Sequence, residues 1–92
     1  MRDTIGWQET SDGLKYRIRV SPSRDGSLYW RRLHRRADGW EAFEPTPEHW
    51  SLLLEKMHAR YVRREAPYEE LARVIALARA NGVALAHPLP PN

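Results

Sequence analysis

The chain has 92 residues, 41% of them hydrophobic and 29% charged, with fifteen Lys and Arg against twelve Asp and Glu for a formal charge of +3. That length supports one small core, and the composition is too apolar for a disordered chain. Cysteine is absent, which excludes disulfides, thiolate metal sites and cysteine nucleophiles. The first residues, MRDTIGWQET, do not resemble a signal peptide, and no stretch approaches the roughly 20 apolar residues of a membrane span. The expectation is a cytoplasmic protein with a single domain over residues 1–86 and a flexible proline-rich tail, HPLPPN, over 87–92.

Asp-Gly recurs at Asp12-Gly13, Asp25-Gly26 and Asp38-Gly39, thirteen residues apart each time. Glycine reaches positive φ without a Cβ clash, so each pair is suited to reversing a strand. The runs between them, TIGWQET, LKYRIRV, SLYWRRLHR and WEAFE, read as four antiparallel strands. A two-residue turn at Asp12-Gly13 matches Trp7 with Ile18 and Ile5 with Val20, apolar against apolar. A three-residue loop at Ala37-Asp38-Gly39 matches Leu33 with Phe43, Arg35 with Glu41 and Arg32 with Glu44. The middle turn, SPSRDGS, leaves its register open, and Val20 opposite Leu28 is the working assignment.

Strict alternation in LKYRIRV puts Leu14, Tyr16, Ile18 and Val20 on one side and Lys15, Arg17 and Arg19 on the other. With the assumed registers, Leu28, Trp30, Trp40 and Ala42 join the apolar face. The opposite face then carries Lys15, Arg17, Arg19, Tyr29, Arg31, Leu33, Arg35 and Phe43.

After Glu44 the period changes. Thr46 followed by Pro47 and Glu48 has the pattern of a helix start: a capping hydroxyl, a proline at the first position and an acid near the positive end of the dipole. Trp50, Leu53, Leu54, Met57 and Tyr61 recur at helical spacing, and Glu65-Ala66-Pro67 ends the run. A second helix from Pro67 to about Asn81 buries Leu71, Val74, Ile75 and Ala78 and closes at Asn81-Gly82. Val83 to Ala86 reads as an extended segment. The predicted fold is α+β, a four-stranded antiparallel meander followed by two helices packed on one face (ββββαα).

The stretch LYWRRLHRR, residues 28–36, holds four arginines and no acid. Period-two geometry splits it, sending Tyr29, Arg31, Leu33 and Arg35 one way and Trp30, Arg32, His34 and Arg36 the other. Arginine grips phosphate through a planar fork and exposed aromatic rings stack on unpaired bases. Lys15, Arg17, Arg19, Tyr29, Arg31, Arg35 and Phe43 are therefore the candidate surface for RNA or single-stranded DNA. The plain alternative is an outer sheet face solvated by long side chains, with Glu9, Glu41 and Glu44 neutralising part of it.

Arginine and tryptophan are also enriched at protein interfaces, which makes Trp30, Arg32, Arg36 and Trp40 a second candidate surface, for a protein partner that the chain inhibits or adapts. A metal-independent ribonuclease with His34 as base among arginines is a third reading. Glu55-Lys56-Met57-His58 has the Glu-x-x-His spacing of di-iron bundles, but occurs once, and the histidines at 34, 49, 58 and 87 have no ligand spacing. No nucleophile elbow, phosphate loop or cofactor motif is present, so no cofactor is expected and a non-enzymatic binding or regulatory domain is favoured.

Overall fold

A computed structural model describes residues 4–83. The expected extended segment after Val83 and the proline-rich tail lie outside the described residues. Four antiparallel strands form one sheet in the order β1-β2-β3-β4, and two helices follow, an α+β arrangement. The chain divides between Glu44 and Pro45 into two compact units, one carrying the sheet and the other the helices.

In the sheet, β1 (Ile5–Ser11) and β2 (Leu14–Pro22) are joined by the two-residue turn that the sequence predicts. Asp12 and Gly13 both take positive φ, 52° and 78°, the geometry that matches the twist of a tight hairpin. The resulting register pairs Ile5 with Val20 and Trp7 with Ile18. β3 (Leu28–His34) pairs with β2 so that Val20 faces Trp30, not Leu28, and Pro22 faces Leu28. The shift has a local cause. The Asp25 carboxylate accepts hydrogen bonds from the Ser27 backbone N–H at 3.0 Å and hydroxyl at 2.6 Å, and Ser23 N–H bonds the Ser27 carbonyl at 2.9 Å. Ser27 is thereby held in the loop and cannot begin the strand. Because the shift is two residues, every side chain of β3 keeps its expected face.

The last hairpin departs further. β4 is only Glu41–Ala42, pairing Arg31 with Ala42 and Arg32 with Glu41. The expected pairs Leu33–Phe43, Arg35–Glu41 and Arg32–Glu44 are displaced by three residues, an odd number, so the faces of residues 40–43 are exchanged. A turn closed by Ala37 N–H on the His34 carbonyl, 2.9 Å, ends β3 early, and Gly39 is not among the glycines with positive φ. Two contacts favour the observed register over the expected one. Arg32 Nε bonds Glu41 Oε1 at 2.6 Å, and Phe43 donates its N–H to the Trp30 carbonyl at 3.2 Å while its ring meets the Trp30 indole edge-on at 6.0 Å.

One sheet face is apolar. Ile5, Ile18, Val20 and Trp30 are buried on it, Trp7 lies edge-on to Trp30 at 6.2 Å, and Tyr16 is half-buried. Leu14, expected on this face, is 45% exposed because it closes the terminal turn.

In the helical unit, α1 (Pro47–Val62) begins as predicted, with Thr46 as N-cap and Pro47 at the first position. His49 takes the place of the acidic or amide residue in a capping box, accepting from Thr46 N–H at 2.9 Å through Nδ1. Trp50, Leu53, Leu54 and Met57 are its buried stripe. The helix ends through Arg64 at φ 62°, and α2 (Tyr68–Ala80) buries Leu71, Val74, Ile75 and Ala78. Gly82 N–H bonds the Arg79 carbonyl at 3.0 Å and Val83 N–H that of Ala78 at 3.1 Å, a Schellman cap requiring the positive φ that Gly82 supplies. α1 and α2 pack on each other, and Tyr61 and Tyr68 meet at 5.5 Å where they join. Among the described residues no helix is long and apolar enough to cross a membrane.

Candidate nucleic-acid interface

Alternation along β2 and β3, fixed by their pairing, determines what the second sheet face carries. Its cross-strand rows are Thr10 with Lys15, Gln8 with Arg17 and Leu33, Gly6 with Arg19, Arg31 and Ala42, and Ser21 with Tyr29. None of these positions holds a carboxylate. Lys15, Arg17 and Arg19 are exposed, Tyr29 is 46% exposed, and Arg31 and Leu33 are half-buried. Arg35 lies just past β3 but joins Lys15, Arg17 and Leu33 around a groove of about 600 Å³ whose walls include Gln8 and Thr10. Glu9 and Tyr16, from register positions of the other face, border it.

Six of the seven residues expected on this surface are on it. Phe43 is not. The three-residue displacement of β4 turns its ring to the Trp30 side of the sheet, where it also lies 5.4 Å from the Arg32 guanidinium. Trp40 takes the vacated role. The Arg19 guanidinium stands 4.5 Å from its ring centroid, and that of Arg31 5.9 Å. Arg31 is also 5.0 Å from the Tyr29 ring, so one guanidinium touches both aromatics of the face. Arg31 Nη2 reaches Ser21 Oγ at 3.4 Å, while its Nε is buried without a hydrogen-bond partner.

A stripe of like charge on one side of a sheet opposes its own formation, since Arg19 and Arg31 face each other directly. The Trp40 ring, bordered by both guanidinium groups, offsets part of that repulsion. Gly6, the β1 partner of Arg19, carries no side chain. A Cβ there would lie 3.0 Å from the Ile18 carbonyl, and the space left open is part of a hollow of about 230 Å³ lined by Gln8, Arg17, Arg19 and Trp40.

The second candidate set does not assemble. Trp30 is 5% exposed, Arg32 is ion-paired with Glu41 and lies 5.0 Å over the Tyr16 ring, and Trp40 is on the opposite face from both. Arg36 is exposed beyond the end of β3. His34 sits beside Tyr16, ring centroids 5.3 Å apart, and its Nδ1 accepts the Arg36 N–H at 3.3 Å. That bond places the proton of the neutral ring on Nε2. Lys15, His34, Arg35 and Arg36 line a smaller hollow of about 270 Å³ at the hairpin end of the sheet.

Two features of this face escaped the sequence: the position of Trp40, which was expected on the apolar side and in the protein-partner set, and Gly6. The signal for Trp40 was the possibility of pairing Phe43 with Trp30, an aromatic match as good as the charge matches that favoured the other register. Gly6 carried no signal, since its use depends on what stands opposite. Among the described residues no group of three or more His, Asp or Glu is arranged to hold a metal ion, so Glu55 and His58 remain a lone pair on α1. No protein-family model, curated protein or solved structure matches the chain.

Proposed function

We propose that this protein is a non-enzymatic binding domain for unpaired nucleic acid, RNA or single-stranded DNA, held on the basic face of its sheet. The observation that carries this reading is the gathering of Lys15, Arg17, Arg19, Arg31 and Arg35 with two accessible aromatics, Tyr29 and Trp40, on a face whose paired positions hold no carboxylate. Cations supply sequence-independent attraction to phosphates, and aromatic rings supply stacking that any base satisfies. A double helix offers its bases only edge-on, so rings on an open sheet favour an unpaired strand.

The protein-partner reading is the weaker one, because its anchors Trp30, Arg32 and Trp40 point to different faces and two of them are already engaged. The ribonuclease reading has His34 but, among the described residues, no second acid–base group hydrogen-bonded to it. Fluorescence anisotropy with labelled single-stranded oligonucleotides tests the proposal. The protein binds at low salt, and charge reversal at Arg17, Arg31 and Arg35 together abolishes binding while the circular dichroism spectrum is kept. Absence of binding by the unaltered protein would overturn it.

A further inference from the structure

We infer that the basic face is divided along its strands into a phosphate-gripping end, Lys15, Arg17 and Arg35, and a base-stacking end, Trp40 and Tyr29 with Arg31 between them. The inference rests on the nucleic-acid reading above and says how the ligand lies on the face.

At the hairpin end the cations stand free. Lys15, Arg17 and Arg35 surround the groove of about 600 Å³, which Glu9 borders from the other register face, and none of the three cations is committed to a ring or an ion pair among the described residues. Their charges are available to phosphate oxygens, and Leu33 between them offers no ring to a base.

At the other end the guanidinium groups are already committed to rings. Arg31 lies 5.0 Å from the Tyr29 centroid and 5.9 Å from that of Trp40, and Arg19 closes the row 4.5 Å from Trp40. With its Nε buried and unbonded, Arg31 serves the row of flat groups better than it serves a phosphate. A nucleobase is another flat, polarisable group and extends such a row without needing its edge read.

The hollow beside Trp40 fits this use. Its volume of about 230 Å³ is below the roughly 300–1,000 Å³ of pockets that enclose larger ligands, and suits one ring. Gly6 opens it, and the Gln8 amide at its wall offers a donor and an acceptor to a base edge. Lys15 and Arg19 are four residues apart on β2, about 13 Å at strand rise, so a short extended strand reaches both ends.

The test compares three labelled ligands of equal length: oligo-dT, oligo-U and an abasic deoxyribose-phosphate chain carrying the same charge without bases. Trp40→Leu weakens binding of the two base-bearing ligands about tenfold, leaves the abasic ligand unaffected and does not alter the salt dependence. Trp40→Phe, which keeps a ring, retains most of the affinity. Arg17→Gln weakens all three ligands alike and lowers the slope of log K against log salt by about 0.7. The dT and U arms tell DNA from RNA. Should Trp40→Leu fail to fold, Tyr29→Leu at the exposed ring is expected to show the same selective loss. Equal affinity of the unaltered protein for abasic and base-bearing chains, or equal losses on both in Trp40→Leu, would overturn the division while leaving a polyanion-binding face. Failure of all three ligands to bind would remove the nucleic-acid reading as well.

Discussion

Replacing Arg19 by glutamate is expected to leave the sheet at least as stable as before while sharply weakening nucleic-acid binding. Arg19 faces Arg31 directly across β2 and β3, and like charges so placed repel. Turning one of them into an acid removes the repulsion and adds an attraction, each about 0.2–1 kcal/mol in a cross-strand pair. Against this stands the loss of the contact with Trp40, about 0.5 kcal/mol for a cation over a ring at an exposed position. The balance lies between about zero and +1.5 kcal/mol, a rise in Tm of up to about 9 °C for a chain of this size. Binding moves the other way. Arg19 flanks Trp40 at the stacking end, so the substitution disturbs a stacked base, worth about 1 to 3 kcal/mol, and sets a negative charge beside the strand; a loss of at least about fivefold is expected. Thermal melts and anisotropy titrations on the same preparation read both effects. A loss of more than about 1 kcal/mol would show that Arg19 and Arg31 do not face each other, because losing the Trp40 contact alone is too small to reverse the sign. Unchanged affinity would show that this face is not the binding surface.

Thr46→Ala removes the hydroxyl that caps α1 and is expected to lower stability by about 1 kcal/mol, with nucleic-acid affinity unchanged because the cap lies outside the sheet. Stability is expected to fall in acid. The Ser27 hydroxyl and N–H hold the Asp25 carboxyl below its ordinary 3.8, and the Glu48 backbone N–H and the Thr46 hydroxyl hold that of Glu48 below 4.5. Both groups are favoured ionised in the folded state, so their contributions are full above those values and fade as pH falls through the lower folded-state ones; melts of Asp25→Asn across that range should show a smaller decline. RNA incubated with the protein should be recovered whole, by gel, whether or not His34 is present; cleavage lost in His34→Ala would establish a nuclease instead.

Most of the fold was legible because its signals were local. Asp12-Gly13 specifies a turn with two positive φ angles, and the apolar matches across it admit one register. Thr46-Pro47-Glu48 and Asn81-Gly82 mark helix ends through the hydrogen bonds they make to their own backbone. The last hairpin was not legible, because residues 30–44 offer two sets of partners of similar worth. Arg32 finds a glutamate in either register, and the choice falls to the fit of Phe43 on Trp30, a packing contact that pattern alone does not weigh. Its outcome exchanged Phe43 for Trp40 on the basic face. The cations of that face were read correctly because the middle hairpin slipped by two residues, which leaves side-chain direction unchanged.

The salt dependence of binding to a single-stranded oligonucleotide decides whether phosphates lie on the basic face. Three to five of the face's cations on phosphates give a slope of log K against log salt of about −2 to −3.5, a fall in affinity of about 20- to 130-fold between about 50 and 200 mM salt. A flat dependence, or no binding at the lower salt, would contradict the account.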